Sequence, residues 1–171
     1  MKSINEIKPF VDEQEIFCMP EVRIIGKAYR CKFTWEDGEC GAIWDSFCAA
    51  ADKLDALPRV VSGVYIAWTG EDTETDGKDY TYMPAIICPA GTPVPEGLDY
   101  RDLPASFVAK GVYGENINQV VEKLNLQGYK TCYTKLRWNA EFYFEAEDEN
   151  PPKENCSPFR WLVPCVKNRQ E

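Results

Sequence analysis

The sequence has 171 residues, a length that predicts one domain over residues 1–171 with room for two compact halves. Its 28 acidic and 19 basic residues give a formal charge of −9. A field of that sign repels phosphate backbones, which argues against direct nucleic-acid binding. The sequence contains no histidine, which excludes Ser-His-Asp and Cys-His catalysis and histidine-based metal sites.

The first half of the chain predicts a strand, a helix and two further strands. Apolar side chains recur with the helical period between residues 42 and 57, and Pro58 is expected to end this helix. The other patterns predict an edge or lead-in segment at 1–15, a turn at 34–38, a hairpin connection at 70–78, and strands at 22–29, 60–68 and 79–88.

The second half predicts the same order of elements. Residues 89–97 are dense in Pro and Gly and are interpreted as an ordered linker. Asn116 can cap a helix that continues to Leu126, and Gly128 can stop it. The patterns around it predict strands at 98–113 (centred on 105–111), 140–146 and 158–166, with an acidic loop at 147–154.

This element order predicts an α+β fold. Two pseudo-symmetric strand–helix–strand–strand units, at about 16–88 and 98–166, are expected to form one antiparallel sheet with both helices on one face. The other face is then expected to carry a ligand groove between the two halves.

Strand parity selects the first candidate site residues. Glu141 and Tyr143 point to one face of their strand, while Ala140, Phe142 and Phe144 point to the other and are expected to pack on the helices. The alternative is that Glu141 is an ordinary exposed edge carboxylate.

Several aromatic residues are further candidates for lining a ligand site. Tyr80 and Tyr82 share a parity, and either a pocket role or cross-strand packing explains them. Trp44 adjoins the apolar stripe of the first helix and fits core packing or a pocket floor. The remaining candidates, each with a core interpretation beside the pocket one, are Trp68, Tyr113, Trp138 and Trp161.

The eight cysteines include no C-x-x-C pair. The sequence has no secretion signal and no apolar run long enough for a membrane span. We therefore expect free thiols, a cytoplasmic location, no metal, no cofactor and no membrane partner.

Four local motifs resemble those of the GyrI-like domain, also called the AraC/MerR-type effector-binding domain. They are residues 19–26 (MPEVRIIG), 43–47 (IWDSF), 79–87 (DYTYMPAII) and 140–143 (AEFY), the last followed by a closing strand that ends at 161–164 (WLVP). The sequence lacks room for the helix-turn-helix that many members carry, so the resemblance is to a stand-alone member related to transcription regulators.

The resemblance implies three functions. The first is binding of a lipophilic, cationic or planar aromatic small molecule, for sensing or sequestration, with Glu141 inside the cavity. The second is hydrolysis of strained, cyclopropane-bearing genotoxins, with Glu141 as the catalytic residue. The third is a gyrase-inhibitor-like interaction with a protein partner. The sequence leaves these alternatives open, as it does whether the chain is an enzyme.

Overall fold

A computed structural model describes residues 10, 15–32, 39–70, 79–132, 138–144 and 159–168. The strands in these ranges are β1 (Ile16–Met19), β2 (Val22–Gly26), β3 (Tyr29–Lys32), β4 (Val64–Gly70), β5 (Asp79–Pro89), β6 (Asp99–Leu103), β7 (Ser106–Lys110), β8 (Tyr129–Thr131), β9 (Trp138–Phe144) and β10 (Arg160–Lys167). The helices are α1 (Glu39–Cys48), α2 (Ala51–Asp55) and α3 (Ile117–Leu126). All these strands belong to one sheet with antiparallel pairing, and the predicted α+β class is confirmed.

The β4–β9 pair forms the centre of the sheet. The strand order is β1-β7-β10-β9-β4-β5-β2-β6, while β3 pairs with β5 and β8 pairs with β10. The order is therefore equivalent on the two sides of the centre. On each side of the centre, a long strand (β5 or β10) also pairs with a short strand (β3 or β8). Two further strands lie outward of it, β2 and β6 on one side and β7 and β1 on the other.

The sheet curls until its two ends approach each other. β1 and β2 lie six strand positions apart, which in a flat sheet corresponds to about 29 Å at about 4.8 Å per strand. Their ends, Met19 and Val22, are joined by two residues, which reach about 11 Å at most. The short connection between β6 and β7 imposes the same closure. Such short links therefore require strong curvature.

The curled sheet encloses the largest apolar cluster. Eight strands contribute to it, with Phe10 packed among them; its members include Phe17, Val22, Ile66, Trp68, Leu103, Val108, Phe142 and Leu162. Phe10 stacks on Phe142 with ring centroids 5.7 Å apart. The interior of the curl is thus an apolar core.

Both longer helices cover the opposite side of the sheet. α1 packs on Ile25, Ile86 and Cys88, and α3 packs on Ala109 and Val163. The prediction that Ala140, Phe142 and Phe144 pack on the helices was therefore wrong, as was the ligand groove on the helix-free face. A period of two separates the two faces of a strand, but only the curvature decides which face becomes the closed core.

The first predicted helix is interrupted rather than continuous. Residues 49 and 50 form a turn between α1 and α2, where the Ala50 amide donates to the Phe47 carbonyl at 3.0 Å. The predicted apolar stripe still faces the sheet, with Phe47 and Leu54 buried on both sides of the break. The second predicted helix, α3, begins as predicted. The Asn116 side chain accepts from the Gln119 backbone amide, and the Gln119 side chain accepts from the Asn116 backbone amide.

Two predicted strands are each divided at a proline. Residues 22–29 form β2 and the start of β3, separated opposite Pro84, which has no N–H to donate to the neighbouring strand. Residues 98–113 form β6 and β7, divided at Pro104, and the two strands lie near opposite ends of the sheet. The short strands β1 and β8 were not predicted as strands.

The predicted turn at 34–38, residues 71–78 of the predicted connection at 70–78, and the acidic loop at 147–154 lie outside the described residues. No described helix has the length and apolarity that crossing a membrane requires.

Candidate functional site

Glu141 occupies the middle of the sheet on its helix-covered side. It lies at the centre of the seven-residue pairing between β4 and β9, directly opposite Ala67. Ala67 is fully buried, and its methyl group takes little space. A small neighbour at this position leaves room above the strand for the Glu141 carboxylate.

Two phenols hold one oxygen of this carboxylate. The Tyr82 hydroxyl donates to Glu141 Oε2 at 2.8 Å, and the Tyr143 hydroxyl donates to the same atom at 2.6 Å. Tyr82 in turn accepts from Trp44 Nε1 at 3.2 Å. Four side chains from β5, β9 and α1 therefore form one hydrogen-bonded group.

The other oxygen, Glu141 Oε1, has no hydrogen-bond partner among the described residues, and no described Lys or Arg forms an ion pair with Glu141. An unneutralised carboxylate in a half-buried position is costly unless something else supplies a donor or a positive charge. The arrangement leaves one acceptor atom for such a group.

Burial raises the pKa of Glu141 above its ordinary value, and the bonds from Tyr143 and Tyr82 lower it in part. The pKa of Tyr82 is also raised, by burial first and by the adjacent Glu141 second. Tyr82 therefore stays a neutral hydroxyl at physiological pH and keeps its hydrogen for donation.

A row of aromatic rings flanks the carboxylate. Trp44 contacts Tyr143 at 5.1 Å between ring centroids, Tyr143 contacts Phe159 at 5.3 Å, and Phe159 contacts Trp161 at 5.0 Å. Trp161 also packs on the apolar cluster beneath α3. The aromatic row thus extends from α1 to the apolar cluster beneath α3.

The structure brings together five of the nine candidate residues and places Trp161 at the far end of the aromatic row. Glu141, Tyr143, Tyr82 and Trp44 form the hydrogen-bonded group above. Tyr80 belongs to the same buried cluster as Tyr82, Trp44 and Tyr143.

The other three predicted residues lie elsewhere. Trp68 is buried in the enclosed core, and Trp138 packs against that core on the same side. Tyr113 lies between β7 and α3, where its ring contacts the Arg160 guanidinium at 5.9 Å. Because Trp68 and Trp138 are an odd number of residues from the site positions on β4 and β9, they point to the other face.

Two residues of the aromatic row were missed or undervalued. Phe159 was not singled out, and Trp161 was a weak candidate among several. The register provides the signal, because Trp161 pairs directly with Glu141 across β9 and β10, but a register is not visible in one strand alone.

The described part of the chain has few side chains suited to binding a metal or to thiol chemistry. It contains no group of three carboxylate, thiol or imidazole side chains placed to hold a metal. Burial raises the pKa of the Cys88 and Cys165 thiols to about 11. These two cysteines are therefore protonated at neutral pH and act as small apolar side chains.

An antiparallel sheet with a half-buried carboxylate among aromatic rings offers the groups that a small-molecule-binding module uses. Comparison with protein families is consistent with this class, because the GyrI-like small molecule binding domain matches residues 13–155. The chain therefore belongs to the GyrI-like family, as the sequence motifs predicted. The comparison with curated proteins gives no significant match.

Several solved structures are similar to this chain. The chain is similar to SAV2435, solved bound to tetraphenylphosphonium, with a TM-score of 0.50 and 10% identity over 90% of this chain and 93% of that one. It is also similar to the integron cassette protein VCH_CASS2 of Vibrio cholerae, with a TM-score of 0.45, 15% identity and coverage of 90% and 94%. A protein assigned to bacterial transcription regulation from Staphylococcus aureus MU50 has a TM-score of 0.46, 10% identity and coverage of 92% and 99%.

Proposed function

We propose that this protein binds a lipophilic organic cation, with the cationic centre at Glu141 Oε1 and the apolar groups against the neighbouring rings. The observation that carries the proposal is the carboxylate itself. It is half-buried, it accepts two phenol hydrogens on Oε2, and no positive charge from the described residues compensates it.

The charge balance favours a cation over a neutral or anionic ligand. Desolvation of the carboxylate costs free energy in the empty protein, and a ligand with a positive charge recovers that cost on binding. The overall charge of −9 attracts cations and repels anions before contact.

The aromatic row favours a ligand with substantial apolar surface. Trp44, Tyr143, Phe159 and Trp161 offer ring faces and edges on one side of the carboxylate. Each ring face that a cation reaches contributes about 0.5–2 kcal/mol. The ligand of SAV2435, tetraphenylphosphonium, has both properties and is therefore a suitable first probe.

Glu141→Gln tests the role of the charge, since it keeps the shape and the acceptor for both phenols. We expect it to weaken tetraphenylphosphonium binding by about 1.5–3 kcal/mol, roughly 10- to 100-fold, the scale of a charge–charge attraction across about 6–10 Å in a partly buried site. Isothermal titration calorimetry of both proteins measures this difference, with neutral triphenylphosphine oxide as the comparison ligand.

The matched control is Glu122→Gln, an exposed position on α3 that changes net charge by the same amount. It should leave the affinity unchanged. Equal affinities for wild type and Glu141→Gln would contradict the proposal, as would equal binding of the phosphonium and the neutral oxide. Mass spectrometry of the recovered ligand distinguishes holding from hydrolysis.

A further inference from the structure

The hydroxyl of Tyr82 is placed to transmit an effect from α1 to the site carboxylate. A phenol has one hydrogen to donate and can accept at its oxygen. In this structure the Tyr82 oxygen accepts from Trp44 Nε1 at 3.2 Å, and its hydrogen goes to Glu141 Oε2 at 2.8 Å. The two bonds fix the direction of the hydroxyl.

We infer that Trp44 is a positioning residue of this site: its indole N–H turns the Tyr82 hydroxyl hydrogen toward Glu141 and so keeps the carboxylate an acceptor with Oε1 presented to the ligand. The part of this inference that concerns the ligand rests on the proposed function. The hydrogen bonds from Trp44 to Tyr82 and from Tyr82 to Glu141 do not, because they exist in the ligand-free protein.

The direction of the Tyr82 hydroxyl decides which form of Glu141 is favoured. With the indole N–H bonded to the Tyr82 oxygen, the hydroxyl hydrogen is directed to the carboxylate, and this donated bond favours the ionised form. Without the indole N–H, the hydroxyl can turn more readily and accept a hydrogen from a protonated Glu141. Trp44 therefore acts on Glu141 through Tyr82.

The second phenol does not depend on this chain. Tyr143 lies two residues from Glu141 on β9 and donates to Oε2 at 2.6 Å, and it meets Trp44 through ring contact. Removing the Tyr143 hydroxyl should therefore leave the influence of Trp44 intact. This difference between the two phenols gives the inference a sharp test.

The groups that can titrate near Glu141 in the described structure are few. Tyr82 and Tyr143 touch it, and Tyr29, Cys31 and Tyr80 belong to the same buried cluster. Neither α1 nor β10 places a Lys or Arg against it among the described residues. Tyr82 interacts strongly with Glu141, but its raised pKa keeps it a neutral phenol while Glu141 titrates, so the signal follows the carboxylate itself.

The experiment is a double-mutant cycle on the ligand-free protein, read by carbon-13 NMR of glutamate labelled at the side-chain carboxyl. Glu141→Gln assigns the Glu141 signal. Trp44→Phe should raise the pKa of Glu141 by about 0.5 to 1 unit, because the carboxylate loses part of its donor support. In the Tyr82→Phe background, Trp44→Phe should add no further shift, whereas in the Tyr143→Phe background the full shift should remain.

Two controls separate this effect from a packing change. Trp138→Phe makes the same substitution on the other face of β9 and should not move the Glu141 signal. A benzothienyl alanine at position 44 keeps the size of the indole but lacks the N–H. It should therefore raise the pKa of Glu141 as Trp44→Phe does, and it serves as the test if Trp44→Phe folds poorly.

Relative to wild type, Trp44→Phe should weaken tetraphenylphosphonium binding more at a pH just above the wild-type midpoint than at higher pH, where only the loss of ring contact remains. A Trp44→Phe shift that persists without Tyr82, or no shift at all, would overturn the inference. Failure of the wild type to bind the cation would instead refute the proposed function, and the NMR cycle would still decide the role of Trp44.

Discussion

At the scale of single residues, Glu141 makes stability and binding depend on pH in opposite directions. Burial raises its pKa in the folded protein above the ordinary value of 4.5, while the unfolded chain keeps the ordinary value. Between these two pKa values the folded state binds more protons than the unfolded chain. The contribution of Glu141 to folding therefore becomes less favourable as pH rises through this window.

We predict that Glu141→Gln is close to wild type in stability below pH 4.5 and more stable than wild type above the raised pKa. The reason is that glutamine has no charge to desolvate, and its amide oxygen can accept from both phenols. Urea denaturation of the two proteins across this pH range measures the difference. A variant that is less stable at neutral pH would show that the charge stabilises the fold.

The residue scale also shows what the sequence could and could not provide. Parity placed Glu141 and Tyr143 on one face without any structure, because the side-chain period of a strand is two. The convergence of Trp44 and Tyr82 on that carboxylate requires three elements in the correct register. Strand parity and the helical stripe made Tyr82 and Trp44 candidates, but neither pattern shows that they meet at one carboxylate.

At the scale of elements, local side-chain chemistry predicted where a helix begins better than it predicted whether a helix runs unbroken. The Asn116–Gln119 pair marks the start of α3 in the sequence, because both side chains bond to backbone within the same turn. The break after α1 has no such signal: Ala49 and Ala50 are good helix formers, and the apolar stripe continues through them. Packing of two short helices on a curved sheet overrides the propensity there.

The close contact between β2 and β5 gives a prediction about glycine. A Cβ on Gly26 would lie 1.9 Å from the Pro84 carbonyl oxygen, a backbone atom that cannot rotate away. Gly26→Ala should therefore destabilise the fold by about 1–3 kcal/mol, the usual cost of overpacking. Thermal or urea unfolding measures this loss.

The matched control for this substitution is Gly41→Ala in α1. A Cβ at Gly41 meets no atom within 4 Å, and alanine is favoured over glycine in a helix by up to about 1 kcal/mol. The two substitutions make the same chemical change and should act with opposite signs. A neutral Gly26→Ala would mean that β2 and β5 are farther apart than described.

At the scale of the whole molecule, two short connections determine the form of the sheet. β1 is the first strand of the first half and pairs with β7 of the second half, while β6 of the second half follows the linker and pairs with β2 of the first. Local periodicity predicted a sheet built from two units, but it contains no information about this exchange of outer strands. The face of the site was mispredicted for the same reason, since the curl decides which side is enclosed.

The exchanged strands predict that the two halves cannot fold separately. A fragment of residues 1–97 would keep β1 without its partner β7 and would lose β6, and the enclosed core that both halves line would be open to water. A fragment of residues 98–171 would lack the complementary strands. Because unpaired edges and exposed apolar clusters are costly, each fragment alone should be largely unfolded.

The intact chain should then unfold in one cooperative step. Far-ultraviolet circular dichroism reports on the sheet, and fluorescence reports on tryptophans from both sides of the centre, including Trp68 on β4 and Trp161 on β10. In a two-state transition the two urea curves coincide. Separate midpoints, or a stable folded fragment 1–97, would show that the halves are independent and that the strand exchange contributes little to the fold.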